Sequence, residues 1–290
     1  MPEDGICKKS HEEMMTEEEL ITAVRAAASL GIIKVRITGG EPLVKRNILS
    51  ICHHVAEIPG IQDVCMTSNG ILLPQMAAEL RKAGVNRINI SLDTLDPDQY
   101  HFMTRRGNVQ EAVAGIEAAL DAGFDQVKIN AVLIGGFNDR HIPQLAQLTR
   151  IYPLDVRFIE LMPMFDGGEF GPEAYIPARK VLEVLPELEE EVQDGGVARL
   201  YHLPGARGRI GLINPLSAHF CGECNRIRIT ADGMIKPCLH RDPEYSIKGL
   251  DEEQMKQQLI RAIAEKPQGH GELSSDQRSQ AGRNMNQIGG

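Results

Sequence analysis

The sequence predicts an α/β protein built on a parallel sheet, followed by a smaller α+β region that carries a cysteine cluster. Three observations predict it. Helical and strand patterns alternate from about residue 15 to 161, and on three of those strands every second residue is polar. After Leu161 the alternation stops, and Cys221, Cys224 and Cys238 form a C-x2-C-x13-C set. Strands alternating with helices make right-handed βαβ units and a parallel sheet, open or closed into a barrel.

Thr16-Glu17-Glu18-Glu19-Leu20 opens the first helix: a Thr cap, a Glu three positions on, then Leu20, Ile21, Val24, Ala27 and Ala28 at helical spacing. Gly31 ends it, and the strand from Ile32 to Ile37 runs into Thr38-Gly39-Gly40-Glu41-Pro42. The unit then repeats. Helices near 45–57, 74–83, 108–122 and 141–150 lead to strands at 63–67, 87–92, 126–133 and 155–161. Gly84 and Gly123 stand at helix-to-strand junctions, where a left-handed cap is expected. Met162 to Pro172 is a Gly/Pro-rich connection. A helix near 177–185, an acidic turn from Glu187 to Glu191 and short strands near 198–203 and 209–213 follow it. A hairpin then spans 226–230 and 234–238 around Ala231-Asp232-Gly233, and a helix is expected near 247–264. Lys266 to Gln287 is polar without a core pattern, and is expected to be mobile except at its tip.

Parallel strands covered on both faces should be apolar throughout. Here Lys34/Arg36/Thr38, Asn89/Ser91/Asp93 and Lys128/Asn130 alternate with Val35/Ile37, Ile88/Ile90/Leu92 and Val127/Ile129. Successive side chains point to opposite faces, so one face of the sheet carries the polar set. Strand ends at solvent would explain one such strand. Three favour a polar binding face, as inside a barrel.

Hydrophobic residues make up 42% of the chain with no Trp, so the core must be aliphatic. The 40 acidic and 31 basic residues give a net charge of −9, which excludes a general nucleic-acid or membrane-surface binder. An anionic ligand must then be met by a local group of bases. Arg36, Lys128, Arg226 and Arg228 could supply one, and guanidinium groups suit bidentate capture of phosphate. The sequence has no apolar run of about 18 residues, and Met1 to Gly5 read as neither a signal nor a transit peptide. Six cysteines in a chain this long read as metal binding in a reducing compartment, which places the protein in the cytoplasm.

Thiolates at the 221/224/238 spacing can hold a metal ion or an iron–sulfur cluster. With one of the usual four cysteines missing, either an iron is open to substrate or a fourth ligand of another type completes the site. His219 or His240 would make a Cys3His zinc site. Cys7, Cys52 and Cys65 share no metal spacing and read as a surface thiol, a helix-core residue and a strand-core residue. Gly39-Gly40 after a strand lets a ligand approach backbone amides without a Cβ in the way.

Several stretches in order resemble the GTP 3′,8-cyclase family of radical S-adenosylmethionine (SAM) enzymes. They are Val35-Arg-Ile-Thr-Gly-Gly-Glu-Pro42, Thr67-Ser-Asn-Gly70, Asn89-Ile-Ser-Leu-Asp93, Val127-Lys-Ile-Asn130, Asp155-Val-Arg-Phe-Ile-Glu-Leu-Met162, Phe220-Cys-Gly-Glu-Cys-Asn-Arg-Ile-Arg-Ile-Thr230 and the closing Gly289-Gly290. The resemblance implies a partial (β/α)6 barrel over residues 1–165 and a C-terminal iron–sulfur and GTP-binding region over 166–290. It implies lyase chemistry in molybdenum cofactor biosynthesis: GTP becomes (8S)-3′,8-cyclo-7,8-dihydroguanosine 5′-triphosphate through a 5′-deoxyadenosyl radical, with a reductant and, as one option, a homodimer. By matching motif, Gly40, Ser91 and Met162 would contact SAM, and Arg36, Thr67, Lys128, Arg226 and Arg228 would contact GTP. Cys221, Cys224 and Cys238 would hold a 4Fe–4S cluster whose open iron meets GTP, and Gly289 and Gly290 would reach the active site. The family's other cluster, which chelates SAM, is held by a C-x3-C-x2-C set that this sequence lacks. Met1 to Gly5 resembles the segment just after that set, so the chain is expected to start late, to lack the first barrel strand and to be inactive alone. A remnant that binds only GTP, with an iron–sulfur cluster or zinc, is the alternative.

Overall fold

Thr16 caps the first helix as its spacing requires. Its hydroxyl accepts from Glu19 N at 3.1 Å, and the Glu19 carboxylate accepts from Thr16 N at 2.8 Å. In this computed structural model, which describes residues 10–163, 170–192 and 196–269 together with 279, 282, 283 and 288, helix α1 spans Glu17–Ser29. Then come β1 (Lys34–Ile37), α2 (Ile48–Ala56), β2 (Asp63–Ser68), α3 (Leu73–Lys82) and β3 (Arg87–Ser91). They continue with α4 (Pro97–Thr104), α5 (Val109–Asp121), β4 (Gln126–Leu133), α6 (Ile142–Ile151) and β5 (Asp155–Glu160). Gly84 and Gly123 take φ of 92° and 72°, the left-handed caps expected of them. Helix α4 was not foreseen, because its one buried residue, Tyr100, leaves no apolar stripe to read. Its local signal is nonetheless present: Asp96 caps it, accepting from Asp98 N and Gln99 N, and Pro97 fills the first turn.

The later elements are α7 (Lys180–Val184), β6 (Glu189–Glu190), β7 (Ala198–His202), β8 (Ile210–Ile213), β9 (Arg228–Ile229), β10 (Met234–Lys236), β11 (Tyr245–Ser246) and α8 (Glu252–Ala264). The helix expected from 247 starts at Glu252 instead. Tyr245 pairs with Ile235 as a third strand of the small sheet, and Asp251 caps the helix by accepting from Gln254 N at 2.8 Å.

The main sheet runs β1-β2-β3-β4-β5-β8-β7-β6. Strands β1 to β5 are parallel, β8 adds parallel to β5, and β7 and β6 return antiparallel. The five-stranded sheet expected from sequence is therefore too short. Carboxylates at both ends of β5 recruit the extra strands. At its start, Asp155 accepts from Arg209 N at 3.2 Å and Arg209 Nη2 at 3.0 Å, which fixes where β8 enters. At its end, fully buried Glu160 accepts from Leu216 N and Ser217 N at 2.9 Å, from Ala178 N at 3.0 Å and from the Ser217 hydroxyl. Among the described residues β1 is an edge strand, as expected.

Val64, Met66, Ile88, Ile90, Val127, Ile129, Val156 and Phe158 line the outer face and join one core with α2, α3, α5 and α6. A second core packs Ala23, Ala26 and Ala27 of α1 on Met255, Leu259 and Ala262 of α8 and on Ile235 of the small sheet. The N-terminal helix and the C-terminal region thus share apolar surface, and the other sheet face is left to function.

Glu160→Gln turns one acceptor oxygen into a donor facing backbone N–H groups. It should cost about 2–3 kcal/mol, read as a lowered denaturant midpoint; an unchanged midpoint would show that the carboxylate does not lace β5 to the C-terminal region.

Candidate active site

In-register residues of neighbouring parallel strands share a face. Thr67, Asn89, Lys128 and Asp155 are aligned across β2 to β5, and Ser91, Asn130, Arg157 and Gly211 form the next layer across β3, β4, β5 and β8. Arg36 stands in the layer below, beside Cys65 and Arg87. The predicted polar face is therefore one continuous surface. Its upper edge, at the C-terminal ends of the strands, carries Gly40 just past β1, Ser91 closing β3 and Met162 just past β5.

Cations outnumber the carboxylates able to pair with them here. Arg25, Arg81, Arg87 and Arg209 each pair with an acid. Among the described residues none pairs with Arg36, Lys128, Arg157 or Arg226. Asp155, beside Lys128 in register, is already committed to Arg209 and to Gln126 at 2.8 Å. Burial, with the Arg157 charge second, pushes the Lys128 ammonium down to about 7. Burial and then repulsion from Arg36 lower Arg226, and do the same to Arg228, to about 10. Arg157 falls to about 10 through burial, opposed by Asp155 and reinforced by Arg36 and Arg226.

Three buried polar atoms on this face have no hydrogen-bond partner: Asn89 Nδ2, Asn130 Oδ1 and Arg157 Nε. Such orphans are costly unless a ligand satisfies them. Gly211 makes room for Arg157, since a Cβ there would meet Arg157 Cγ at 3.1 Å. A Cβ on Gly39 or Gly40 would meet no protein atom within 4 Å, so the space above that turn is open to a ligand.

Sequence reasoning missed Arg157. It was quoted within a motif yet left without a role, although it alternates with Val156 and Phe158 just as Lys128 alternates with its neighbours. Glu41 is a strut: it accepts from Leu43 N, Ser68 Oγ at 2.9 Å and Asn69 N at 2.7 Å, tying the Gly-Gly turn to the end of β2. The Thr67-Ser-Asn-Gly70 motif divides similarly. Thr67 faces the site, while Ser68 and Asn69 hold the following turn. Gly70 at φ 85° lets Gly115 approach so closely that a Cβ on Gly115 would lie 2.1 Å from Gly70 O.

Cys221 opens a 3-10 turn, Cys224 closes it, and Cys238 lies two residues beyond Lys236, which pairs with Arg228. All three thiols are half-buried and free, and the Cys224 thiol faces Arg226 and Arg228 closely enough to act on both. Among the described residues no three His, Cys, Asp or Glu side chains meet at a single-ion site. His219 Nδ1 is held by the Pro215 carbonyl at 2.8 Å and His240 Nδ1 by the Ser279 hydroxyl at 3.2 Å. Three thiolates beside arginines are a donor set that fits an iron–sulfur cluster. Cys52 and Cys65 are buried in helix and strand as expected, with burial raising Cys52 to about 12. Cys7, Gly289 and Gly290 lie outside the described residues. Ile288 is buried, and its carbonyl accepts from Arg228 Nη1 at 3.3 Å. Most of the tail expected to be mobile lies outside the described residues; within it Lys266 donates to Cys224 O, Ser279 N donates to Pro163 O, and Arg283 pairs with Asp232 and Glu244.

Comparison with known proteins gives the family. Residues 6–149 match the Radical SAM superfamily and residues 154–272 match Molybdenum Cofactor Synthesis C. The GTP 3′,8-cyclase of Alkaliphilus oremlandii is 45% identical across the whole of this chain and 92% of its own length, and that of Moorella thermoacetica is 42% identical at the same coverage. The chain belongs to the GTP 3′,8-cyclase family. Among solved structures, Streptococcus suis SuiB bound to S-adenosylmethionine shares the fold at TM-score 0.62 and 14% identity, over 80% of this chain and 56% of SuiB. The enzyme anSMEcpe, solved with AdoMet and a peptide, matches at TM-score 0.56 and 13% identity, over 89% of this chain and 75% of its own. The radical SAM α/β fold is thus established, and no described helix is long and apolar enough to cross a membrane.

Family membership gives the Lys128 shift a measurable consequence. A bound polyanion favours the charged ammonium, so triphosphate binding above pH 7 should draw a proton onto Lys128 and weaken as pH rises. Calorimetry at pH 8 in buffers of different ionisation enthalpy should show proton uptake, absent in Lys128→Met; equal heats in both buffers would contradict the assignment.

Proposed function

We propose that this chain serves the conversion of GTP to (8S)-3′,8-cyclo-7,8-dihydroguanosine 5′-triphosphate in molybdenum cofactor biosynthesis, and that its concave face is the GTP site. The observation that carries this reading is the convergence of desolvated cations beside a cysteine set, in a protein of net charge −9. Arg36, Lys128, Arg226 and Arg228 would hold the triphosphate, with Arg157 added to them and Thr67 offering a hydroxyl in the same layer as Lys128. Guanidinium forks fix the orientation of phosphates as well as their charge. Cys221, Cys224 and Cys238 would hold a 4Fe–4S cluster that leaves one iron for GTP, next to the arginines. Gly40, Ser91 and Met162, along one rim of the sheet, would contact SAM. Asn89 Nδ2 and Asn130 Oδ1, lower on the same face, would be satisfied by the bound ligands.

Bound SAM with its own cluster supplies the 5′-deoxyadenosyl radical of the family reaction. No C-x3-C-x2-C occurs among the 290 residues, so none of them is assigned to that cluster and no radical step is assigned to this chain. Its residues instead position GTP, exclude water and neutralise the triphosphate. The free thiols agree with a reducing cytoplasm.

Anaerobic reconstitution tests the reading. The chain should take up about four irons with sulfide, against about eight for a two-cluster protein, and should form no 5′-deoxyadenosine. Zinc bound without sulfide would overturn the cluster assignment. Arg228→Ala should weaken GTP binding by about tenfold or more, as loss of a charge-assisted contact worth about 1.5–3 kcal/mol requires. Equal affinity by calorimetry would remove Arg228 from the site.

A further inference from the structure

The segment from Cys224 to Arg228 carries a cluster thiol and two anion-binding arginines at every second position. Ile227, between the two arginines, and Ile229, just beyond them, pack on the second core. In extended chain, side chains two apart share a face, so the placement of Cys224 and Arg226 depends on how this short stretch is held. Its ladder is small: only Arg228 and Ile229 pair with β10. Residues 224 and 226 lie before that pairing begins.

Lys266 supplies what the ladder does not. It stands two residues past the end of α8, whose Met255, Leu259 and Ala262 are fixed in the second core. Its ammonium donates to Cys224 O at 2.7 Å, to Arg226 O at 2.7 Å and to Cys224 Sγ at 3.5 Å. Those contacts use all three of its protons. The chain then runs past the other cysteine of the turn, where a Cβ on Gly269 would lie 3.8 Å from Cys221 Cβ. A cation is also favoured at a helix C-terminus.

We propose that Lys266 is a positioning residue that clamps the thiol-and-arginine segment, and that its N–H···S contact tunes the reduction potential of the cluster. The proposal rests on the cluster reading given under Proposed function. A lysine that only tied down two carbonyls would be replaceable by any group able to hold the loop. A lysine that also donates to a cluster sulfur does more. Hydrogen bonds and positive charge at the sulfurs stabilise the reduced, more negative state and raise the potential. One side chain would thereby set both the redox poise of the cluster and the aim of Arg226 at the triphosphate.

The test uses the 290-residue chain reconstituted anaerobically with iron and sulfide, as wild type, Lys266→Met and Lys266→Arg. Iron content, the midpoint potential from an EPR-monitored titration, and GTP affinity by calorimetry are measured on each. With wild-type iron content, Lys266→Met should show a more negative midpoint and several-fold weaker GTP binding, and Lys266→Arg should recover part of both. A midpoint in Lys266→Met equal to wild type overturns the tuning role, and equal GTP affinity overturns the clamp. If Lys266→Met takes up no iron, the same two readings on Lys266→Arg decide: a midpoint more negative than wild type together with weaker GTP binding supports the proposal, and wild-type values of both overturn it. Wild type that takes up no iron would defeat the cluster reading itself, a failure distinct from the others.

Discussion

Positive charges brought together out of water repel, and this repulsion is the constraint that the rest of the structure must contain. Two unit charges about 7 Å apart at an effective dielectric of about 20 repel by roughly 2–3 kcal/mol. The concave face gathers Arg36, Lys128, Arg157, Arg226 and Arg228, and burial, with their mutual repulsion after it, lowers the pKa of four of them. A protein with more acids than bases could cancel such a field at once. It does not, because the nearest acids are engaged: Asp155 by Arg209, Asp63 by Arg87, and Glu160 by backbone amides. The charge that relieves the repulsion has to come with the ligand.

Holding those cations in place is the task of uncharged and paired groups around them. Strand β5 is the pivot. Its two end carboxylates bind the segments before and after β8, so Arg157 in its middle faces Gly211 in a fixed register. Glu41 does the same for the Gly-Gly turn by reaching across to the end of β2. The second core seats α8, and through Lys266 it reaches the cysteine segment. The sheet, the rim and the thiols are three separately anchored pieces brought to one face.

Much of this is legible in the sequence because the signals are local. The Thr16/Glu19 box, the glycines at positions 84 and 123, and the alternation of Lys128 and Asn130 with Val127 and Ile129 are each read within one turn or strand. What escaped depends on residues far apart in the chain. Asp155 and Glu160 find partners more than fifty positions away, so nothing local shows that β8 extends the sheet. Arg157 alternates with Val156 and Phe158, but only the pairing of β5 with β4 and β8 shows which face it occupies. Lys266 sits where periodicity ends, and a polar stretch after a helix reads as tail until the fold brings Cys224 beside it. Ser279 and Arg283, in the same polar stretch, are held by tertiary contacts that no local pattern shows.

If the concave face is a cation trap awaiting phosphate, its ligand-free form is held under repulsion that inorganic triphosphate alone should relieve. The most direct measurement is thermal unfolding of the chain with triphosphate or guanosine, at low and at high salt. The account requires a rise in melting temperature with triphosphate that shrinks as salt increases, and little or none with guanosine. Equal stabilisation by the two, or a triphosphate effect indifferent to salt, would contradict it.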